Sequence, residues 1–463
     1  KAKYKALLDG LEAVELNIYE LENFFDLSSE FYKKDYLLKD KVLSCFDLQV
    51  LSDIAYITDG EHGSPDWDEN SNIKYITAEH IKPNYIEDGI FKCISSKQDK
   101  KNSRARLLEN DVLVYTVGAY AGYVAKAEKH LFPANIPRSV AIIRLRKEIK
   151  SEFLSLFMNS KYGYYQTQRF RAGNSQPMLA LEKIKQFRIP KLSISFQNEI
   201  VKKYNLAYVN RLNSKTFYKE AEELLLKELD LLDFKPSIEN ISIKSFKESF
   251  GNSGRIDSEY YQAKYDELIE HIKKTNFDKL DNIVNIKKSI EPGSEAYQDS
   301  GIPFIRVSNV TKFGITDTEI HLSKNILKEE DLQKLYPTKD TILLSKDGTV
   351  GIAYKIKNET EMITSGALLH LSIKKDDVLP EYLTLVLNSL IVQLQAQRDA
   401  GGSIIQHWKP SEIQEVLIPI IDISIQNQIE EKIKKSFELK EDSKQLLDLA
   451  KKAVEIAIEK DEN

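Results

Sequence analysis

Two cysteines in 463 residues, Cys45 and Cys93, are too few for a disulfide framework or a cysteine zinc site. Apolar runs are short as well, and none approaches the ~18 residues that would suggest a membrane span. The opening residues, "KAKYKALLDGLEAVE", carry acids too early for a secretory signal, so a cytoplasmic chain is expected. Motifs with built-in chemistry are missing too: no G-x-G-x-x-G follows a strand, and neither G-x-x-x-x-G-K-[ST] nor H-E-x-x-H occurs. The seven histidines (His62, His80, His130, His271, His321, His370, His407) stand singly, which favours structural or surface roles over metal ligation. A nuclease reading could use Pro65-Asp66 with Glu148 and Lys150, but the two pieces lie about 80 residues apart and neither recurs. No catalytic residue and no metal site are expected. Positive charge is not in excess either: 66 Lys and Arg stand against 71 Asp and Glu, a net charge of −5 that counts against a non-specific polyanion binder.

What is present is an ordinary globular balance, 42% hydrophobic and 30% charged, in a length that allows about three domains. Above all, the chain repeats itself at a constant offset of 229 residues. "DLSSEFYKKDY" (26–36) lies on "RIDSEYYQAKY" (255–265), and "IKYITAEHI" (73–81) on "IPFIRVSNV" (302–310). The same offset places Asp111 on Asp340, Gly122 on Gly351, Asn159 on Asn388, Arg169 on Arg398, Gly173 on Gly402 and Ile189-Pro190 on Ile418-Pro419. It also sets "TKDTILLSKDGTVGIAYKI" (338–356) against "ENDVLVYTVGAYAGYVAKA" (109–127), with Lys346 and Asp347 opposite Val117 and Gly118. A catalytic Lys-Asp pair would therefore have been lost from one copy, whereas the glycines and apolar runs persist in both.

Each half divides again. Short β-branched and aromatic runs such as "DVLVYTV", "SVAIIRL" and "TILLS", alternating with turns and one helical stretch, predict mixed α/β domains. Residues 197–233 and 426–460 contain neither glycine nor proline and read as long helices. The expected organisation is a first α/β domain at 1–196, a long helix at 197–235, a second domain at 236–424 and a second long helix at 425–463.

Both helices carry a heptad stripe, Ile200, Tyr204, Ala207, Arg211, Ser214, Tyr218, Ala221, Leu225, Glu228, Leu232 and Ile429, Ile433, Ser436, Lys440, Ser443, Leu447, Ala450, Val454, Ala457, Asp461. Each stripe is apolar toward its ends and polar in its middle. Packing of each helix on its own domain is one reading; the shared polar gap favours pairing of the two helices as an antiparallel coiled coil, with the domains at opposite ends and a pseudo-two-fold axis between them.

Charge distribution points to nucleic acid where net charge does not. Lys92, Lys97, Lys100, Lys101, Arg104 and Arg106 lie within fifteen residues that hold a single acid, Asp99, and could neutralise several phosphates. "YGYYQTQRFRAGNSQ" (162–176) interleaves Arg169 and Arg171 with aromatics and ends on Asn174 and Gln176; its counterpart "QAQRDAGGSIIQHWK" (395–409) keeps Arg398 and presents Ser403, Gln406, His407, Trp408 and Lys409. Arg, Asn and Gln make bidentate contacts to base edges. One frame with two sets of polar tips looks like one scaffold reading two sequences. Tyr120 and Lys346, Asp347 and Thr349 in the glycine loops, His62 in "TDGEHGSP" and Arg306 in "IPFIRVSNV" complete the candidate DNA-binding set.

The order of these motifs resembles the specificity subunits of type I restriction-modification systems. The family's glycine-loop pattern G-D-I-L-[IL]-S-x-x-G-x-x-G is similar to "KDTILLSKDGTVG" and, more loosely, to "NDVLVYTVGAYAG"; "TDGEHGSP" resembles its D-G-x-H-x-x-P stretch. "GNSQPMLALEKIKQFRIPKLSISFQNEI" and "GGSIIQHWKPSEIQEVLIPIIDISIQNQI" resemble its domain ending, with Leu192 and Ile421 for the family's second proline and Gln197-Asn198 and Gln426-Asn427 for its Glu-Gln pair. The resemblance implies a subunit without catalysis of its own and without its own cofactor. Its two domains would each read half of a bipartite double-stranded DNA target. Its helices would serve as a ruler and as the dock for two methyltransferase subunits that bind S-adenosylmethionine, with restriction subunits joining for cleavage. The recognition portion of a type IIB or single-chain type IIG enzyme is the alternative, and a protein-protein scaffold a more distant one.

Overall fold

The computed structural model describes residues 14, 16, 29–146, 149–173, 176–239, 241–326, 328–401 and 405–460, so Asn174, Ser403, Glu148 and Asp461 lie outside the described residues. Two compact units emerge: residues 1–211 with 440–463, and residues 212–439. Among the described residues no helix is long and apolar enough to cross a membrane.

Unit 1 is organised around a four-stranded antiparallel sheet of β1 (Ala55–Asp59), β2 (Val112–Tyr115), β3 (Val124–Lys126) and β4 (Val140–Leu145), in the order β1-β4-β2-β3. The β-branched runs that predicted strands make a sheet buried on both faces, and alternation decides which core each residue joins. Val112, Val114, Val124, Ala141 and Ile143 point to one core with Phe153 and Phe157; Leu113, Ala125, Val140 and Ile142 point to a second core with Ile76, Ala105, Leu107 and Ile136. The helical layer contains α2 (Ser151–Asn159) and α3 (Lys161–Phe170), which meet at Ser160. That serine caps α3 by accepting from the Tyr162 and Gly163 amides. The opposite layer is built from short turns, among them α1 (Ser96–Lys101). This loop layer carries most of the candidate residues.

α4 (Ile194–Glu228) starts three residues before its glycine-free, proline-free run, at the end of the "IP" strand pairing. In unit 2 the sheet recurs as β5 (Val284–Lys288), β6 (Ile342–Ser345), β7 (Ala353–Lys355) and β8 (Leu368–Ile373), in the order β5-β8-β6-β7. α5 (Pro380–Asn388) and α6 (Leu390–Asp399) cover one face, and α7 (Ile423–Lys460) closes the chain. Polar supports recur with the strands. Asn159 donates to the Val124 carbonyl at 2.7 Å and Asn388 to the Ala353 carbonyl at 2.8 Å, each tying the edge strand to a helix.

The heptad stripe is the buried face of both helices. Ile200, Tyr204, Ala207, Ser214, Tyr218, Ala221 and Leu225 are buried, as are Ile429, Ile433, Ser436, Ser443, Leu447, Ala450, Val454 and Ala457. Glu228 and Leu232, by contrast, are exposed, because the helix has ended or is ending there. Within unit 2 the Ser214 and Ser436 hydroxyls meet at 3.3 Å and Lys432 pairs with Glu220 at 2.6 Å; a forward step on α4 is a backward step on α7, so the helices are antiparallel. Within unit 1, Ser443 donates to the Ala207 carbonyl at 2.7 Å. The polar gap is thus made of small hydroxyls that find partners where helices approach closely. Arg211 lies with its guanidinium 4.6 Å from the centre of the Tyr85 ring.

At the head of each long helix stand Gln197 and Gln426, which replace the acid of the family's Glu-Gln pair. Each is buried, Gln197 accepting from the Lys150 amide at 3.1 Å and Gln426 from the Leu379 amide at 2.9 Å. Gln426 also donates to the Asp377 and Ile421 carbonyls at 2.8 and 2.9 Å. Gln426→Ala leaves a buried N–H and two carbonyls unpaired and is expected to destabilise unit 2 by about 2–4 kcal/mol. Urea unfolding checks this; a change below about 0.5 kcal/mol would mean that water replaces the amide freely.

The repeat is not strictly at 229. Partners Ala55–Leu145 correspond to Val284–Ile373, and Val112–Lys126 to Ile342–Lys355, so the offset is 228 in one strand and 230 in another. Short insertions and deletions fall in the turns between strands. Asp340 therefore stands opposite Asn110, not Asp111, and both hold left-handed backbone (φ 66° and 68°). Lys346 and Asp347 stand opposite Thr116 and Val117, not Val117 and Gly118. Leu179 and Trp408 show this by donating to the Thr116 and Lys346 carbonyls in the same role.

Candidate nucleic-acid interface

α1 is a single turn and a half whose charges sort by face. Ser95 caps it by accepting from the Gln98 amide, which points Gln98 and Asp99 inward and leaves Lys97, Lys100 and Lys101 exposed. Asp99, the one acid of the basic stretch, is buried and takes the Arg106 guanidinium and an Asn135 amide (3.0 Å). The outer face is therefore purely basic. Arg106 is spent on that internal pair, which raises its pKa. Arg104 donates to the Thr58 hydroxyl and Gly60 carbonyl, both at 3.3 Å, and pairs with Asp59 at 3.1 Å. Asp59 in turn holds His62 at 2.8 Å.

From this stretch a continuous chain of contacts crosses unit 1. Glu61 accepts from Asn102, whose amide, with the Gly63 N–H, holds the carboxyl below the usual carboxylate range. The Arg138 amide donates to the Glu61 carbonyl at 2.9 Å; Thr116 donates to Ser139 at 3.0 Å; Gly118 donates to Pro177 at 2.8 Å. The basic stretch, the 58–65 loop, the turn at 137–139, the glycine loop and the paired Ala172 and Met178 with Pro177 thus share one face. Tyr120 stands exposed on it, its ring 5.3 Å from Tyr123 and nearly parallel. Gln176 is exposed and Arg171 half-buried.

Unit 2 repeats the chain. The Lys346 amide donates to the Ala367 carbonyl and the Gly348 amide to the Gln406 carbonyl, both at 2.9 Å, while the Gly366 amide donates to the Glu291 carboxylate at 3.0 Å where unit 1 uses a backbone carbonyl. Here the glycine loop and the turn are also latched by charge: Asp347 contacts the Lys346 ammonium and accepts from the His407 ring nitrogen at 2.9 Å. Burial pushes the Asp347 carboxyl up, and Lys346 and His407 outweigh it to leave the pKa lowered. Arg306, Thr349, Gln406 and Lys409 are exposed. Lys409 is paired with Glu412 at 3.3 Å.

Three expected tips are corrected. Arg169 is buried, its guanidinium 4.1 Å from the Phe31 ring centre, with Nε donating to the Phe31 carbonyl and a terminal nitrogen 3.4 Å from Asp40. Arg398, its counterpart, pairs with neighbouring Asp399 at 2.7 Å and lies 5.2 Å from the Tyr260 ring. Their aromatic neighbours are packing partners, and both arginines lock α3 and α6 in place. Trp408 is 1% exposed and anchors the turn from below. Trp67, Tyr75 and Arg138, in turn, line the face without having stood out in the sequence.

Gly122 lets the glycine loop close. It has φ +103°, and an added Cβ would come 2.2 Å from Thr167 Cγ2. Gly122→Ala is expected to cost about 2–4 kcal/mol, from a backbone conformation that L side chains resist plus overpacking. A thermal midpoint unchanged from wild type would show that α3 moves aside at no cost.

One α/β scaffold, present twice, brings the same set of loops to one face in each unit; this defines a duplicated loop-display protein. Residues 51–205 match the family model described as the type I restriction modification DNA specificity domain. The resemblance read from the motif order is borne out. No curated protein matches the chain. Solved structures similar to it include the type I restriction-modification S subunit from M. genitalium (14% identity, 89% of this chain and 95% of that one, TM-score 0.42). The HsdS subunit from Thermoanaerobacter tengcongensis is similar at 16% identity (90% and 97%, TM-score 0.31), and the type IIG restriction endonuclease BpuSI at 14% (40% and 33%, TM-score 0.27).

Proposed function

We propose that the chain is the sequence-reading subunit of a type I restriction-modification complex, each unit reading one half of a bipartite double-stranded DNA target. The observation that carries this reading is the repeated face. Loops distant in sequence are held together twice by equivalent backbone bonds, while the side chains at their tips differ. In unit 1 Lys97, Lys100 and Lys101 contact phosphates, with Arg104 and His62 shaping the adjoining loop; Tyr120, Arg171 and Gln176 lie over the groove. In unit 2 Arg306, Thr349, Gln406, His407 and Lys409 take that place, on the frame set by Lys346 and Asp347. Phosphate contacts fix register, and the groove-facing tips supply base identity. The chain itself is non-catalytic and acts in the cytoplasm; S-adenosylmethionine binds methyltransferase subunits docked on its paired helices, and restriction subunits complete the complex.

Selection from randomised duplexes by the chain with its methyltransferase partner tests the proposal. Two blocks of fixed bases separated by unread positions are expected. A single contiguous block, or no enrichment above the random pool, would refute it.

A further inference from the structure

The Tyr75 hydroxyl in unit 1 is buried and has no hydrogen-bond partner among the described residues. A buried hydroxyl without a protein partner is destabilising unless a water or a ligand meets it. The repeat sharpens this. At the same offset unit 2 has Phe304, also fully buried, with its ring 5.5 Å from Tyr297. A phenyl ring satisfies the fold at this place, and the hydroxyl is an addition peculiar to unit 1.

Tyr75 lines a cavity of about 330 Å³ together with Glu61, His62, Trp67, Thr77 and Arg138, a volume at the low end for small-ligand sites. The Trp67 indole is 46% exposed, stands edge-on to Tyr75 at 5.5 Å and has the Lys92 ammonium 5.3 Å from its ring centre. Arg138 is exposed, and its guanidinium makes no hydrogen bond or ion pair among the described residues. A flat apolar surface, an unused hydroxyl and two cations at the rim are what a planar, polar-edged ring carrying a phosphate requires. The basic face of α1 adjoins the cavity through Lys101, 4.0 Å from Glu61.

In unit 2 the matching place is built differently and holds a carboxylate, Glu291. Gly366 stands where Arg138 does, its amide bound to the Glu291 carboxylate at 3.0 Å, and Tyr297, which packs on Phe304 as Trp67 packs on Tyr75, takes the position of Trp67.

We propose that the cleft of unit 1 receives one nucleobase turned out of the DNA duplex, its ring against Trp67, its polar edge at the Tyr75 hydroxyl and its phosphate near Arg138 and Lys92. This rests on the DNA-reading function above and makes the two units unequal: only unit 1 captures a base.

The test uses the full chain and the duplex obtained from random selection. 2-Aminopurine is placed at each position of the half read by unit 1, and its emission is followed on binding. One position is expected to brighten several-fold, as a base leaving the stack does. Trp67→Ala should abolish that rise. Tyr75→Phe, which Phe304 shows the scaffold tolerates, should weaken binding about fivefold, the worth of one hydrogen bond. Because Trp408 is the only other tryptophan and is buried, Trp67 emission should also be quenched by the bound duplex. A duplex that binds with no position brightening, or brightening that survives Trp67→Ala, overturns base capture while leaving DNA reading intact. Failure of any duplex to be selected overturns both.

Discussion

Replacing Lys97, Lys100 and Lys101 together with alanine should weaken duplex binding on the order of 100-fold at 0.15 M salt, for target and random sequences alike. The magnitude follows from counterion release. Each phosphate contact contributes a slope of about 0.9 to the dependence of log affinity on log salt, so three lost contacts flatten it by about 2.7. The structure narrows which cations count. Arg106 is committed to buried Asp99, and Arg104 is held by Asp59, so neither is free to meet a phosphate, whereas the three lysines project from α1 on the side away from Gln98 and Asp99. Titrations with labelled duplex at several salt concentrations decide the matter. An altered base preference with an unchanged salt slope would show that these lysines read the groove instead of the backbone.

The same lysines show what a sequence does and does not disclose. Their clustering was visible, and so were the repeat, the strands and the heptad stripe, because periodic burial leaves a periodic trace. Ser214, Ser436 and Ser443 were legible even as a polar gap, since both helices need small groups at the same heptad positions. Lost to the sequence was the direction of individual side chains. Arg169 and Arg398 share the composition of groove-reading arginines, yet they face Phe31 and Tyr260 inside the scaffold. The offset of 229 likewise concealed one-residue slips, because turns absorb an extra residue without disturbing the strands on either side. Tyr75 carries no sequence signal, since a buried tyrosine is ordinary; only Phe304 at the matching place, and the missing partner for its hydroxyl, set it apart.

Asp347→Ala should relax base preference in one half-target and leave the other untouched. In unit 2 this carboxylate joins Lys346 on the glycine loop to His407 on the following turn, and beside it Gly348 donates to the Gln406 carbonyl. Removing it frees Lys346 and His407 and loosens the frame beneath Gln406 and Lys409. The backbone bonds at Gly348 and Trp408 remain, so the unit should still fold. In unit 1 the structural counterparts, Thr116 and Val117, form no such latch, which confines the effect. Loss of one well-placed base contact is worth about 1–3 kcal/mol, or roughly 5- to 150-fold in discrimination at that position. Selection from randomised duplexes with wild type and variant side by side gives the answer position by position. Loss of preference in both halves would mean that the units do not read independently, and unchanged preference in both would place base readout away from Gln406 and Lys409.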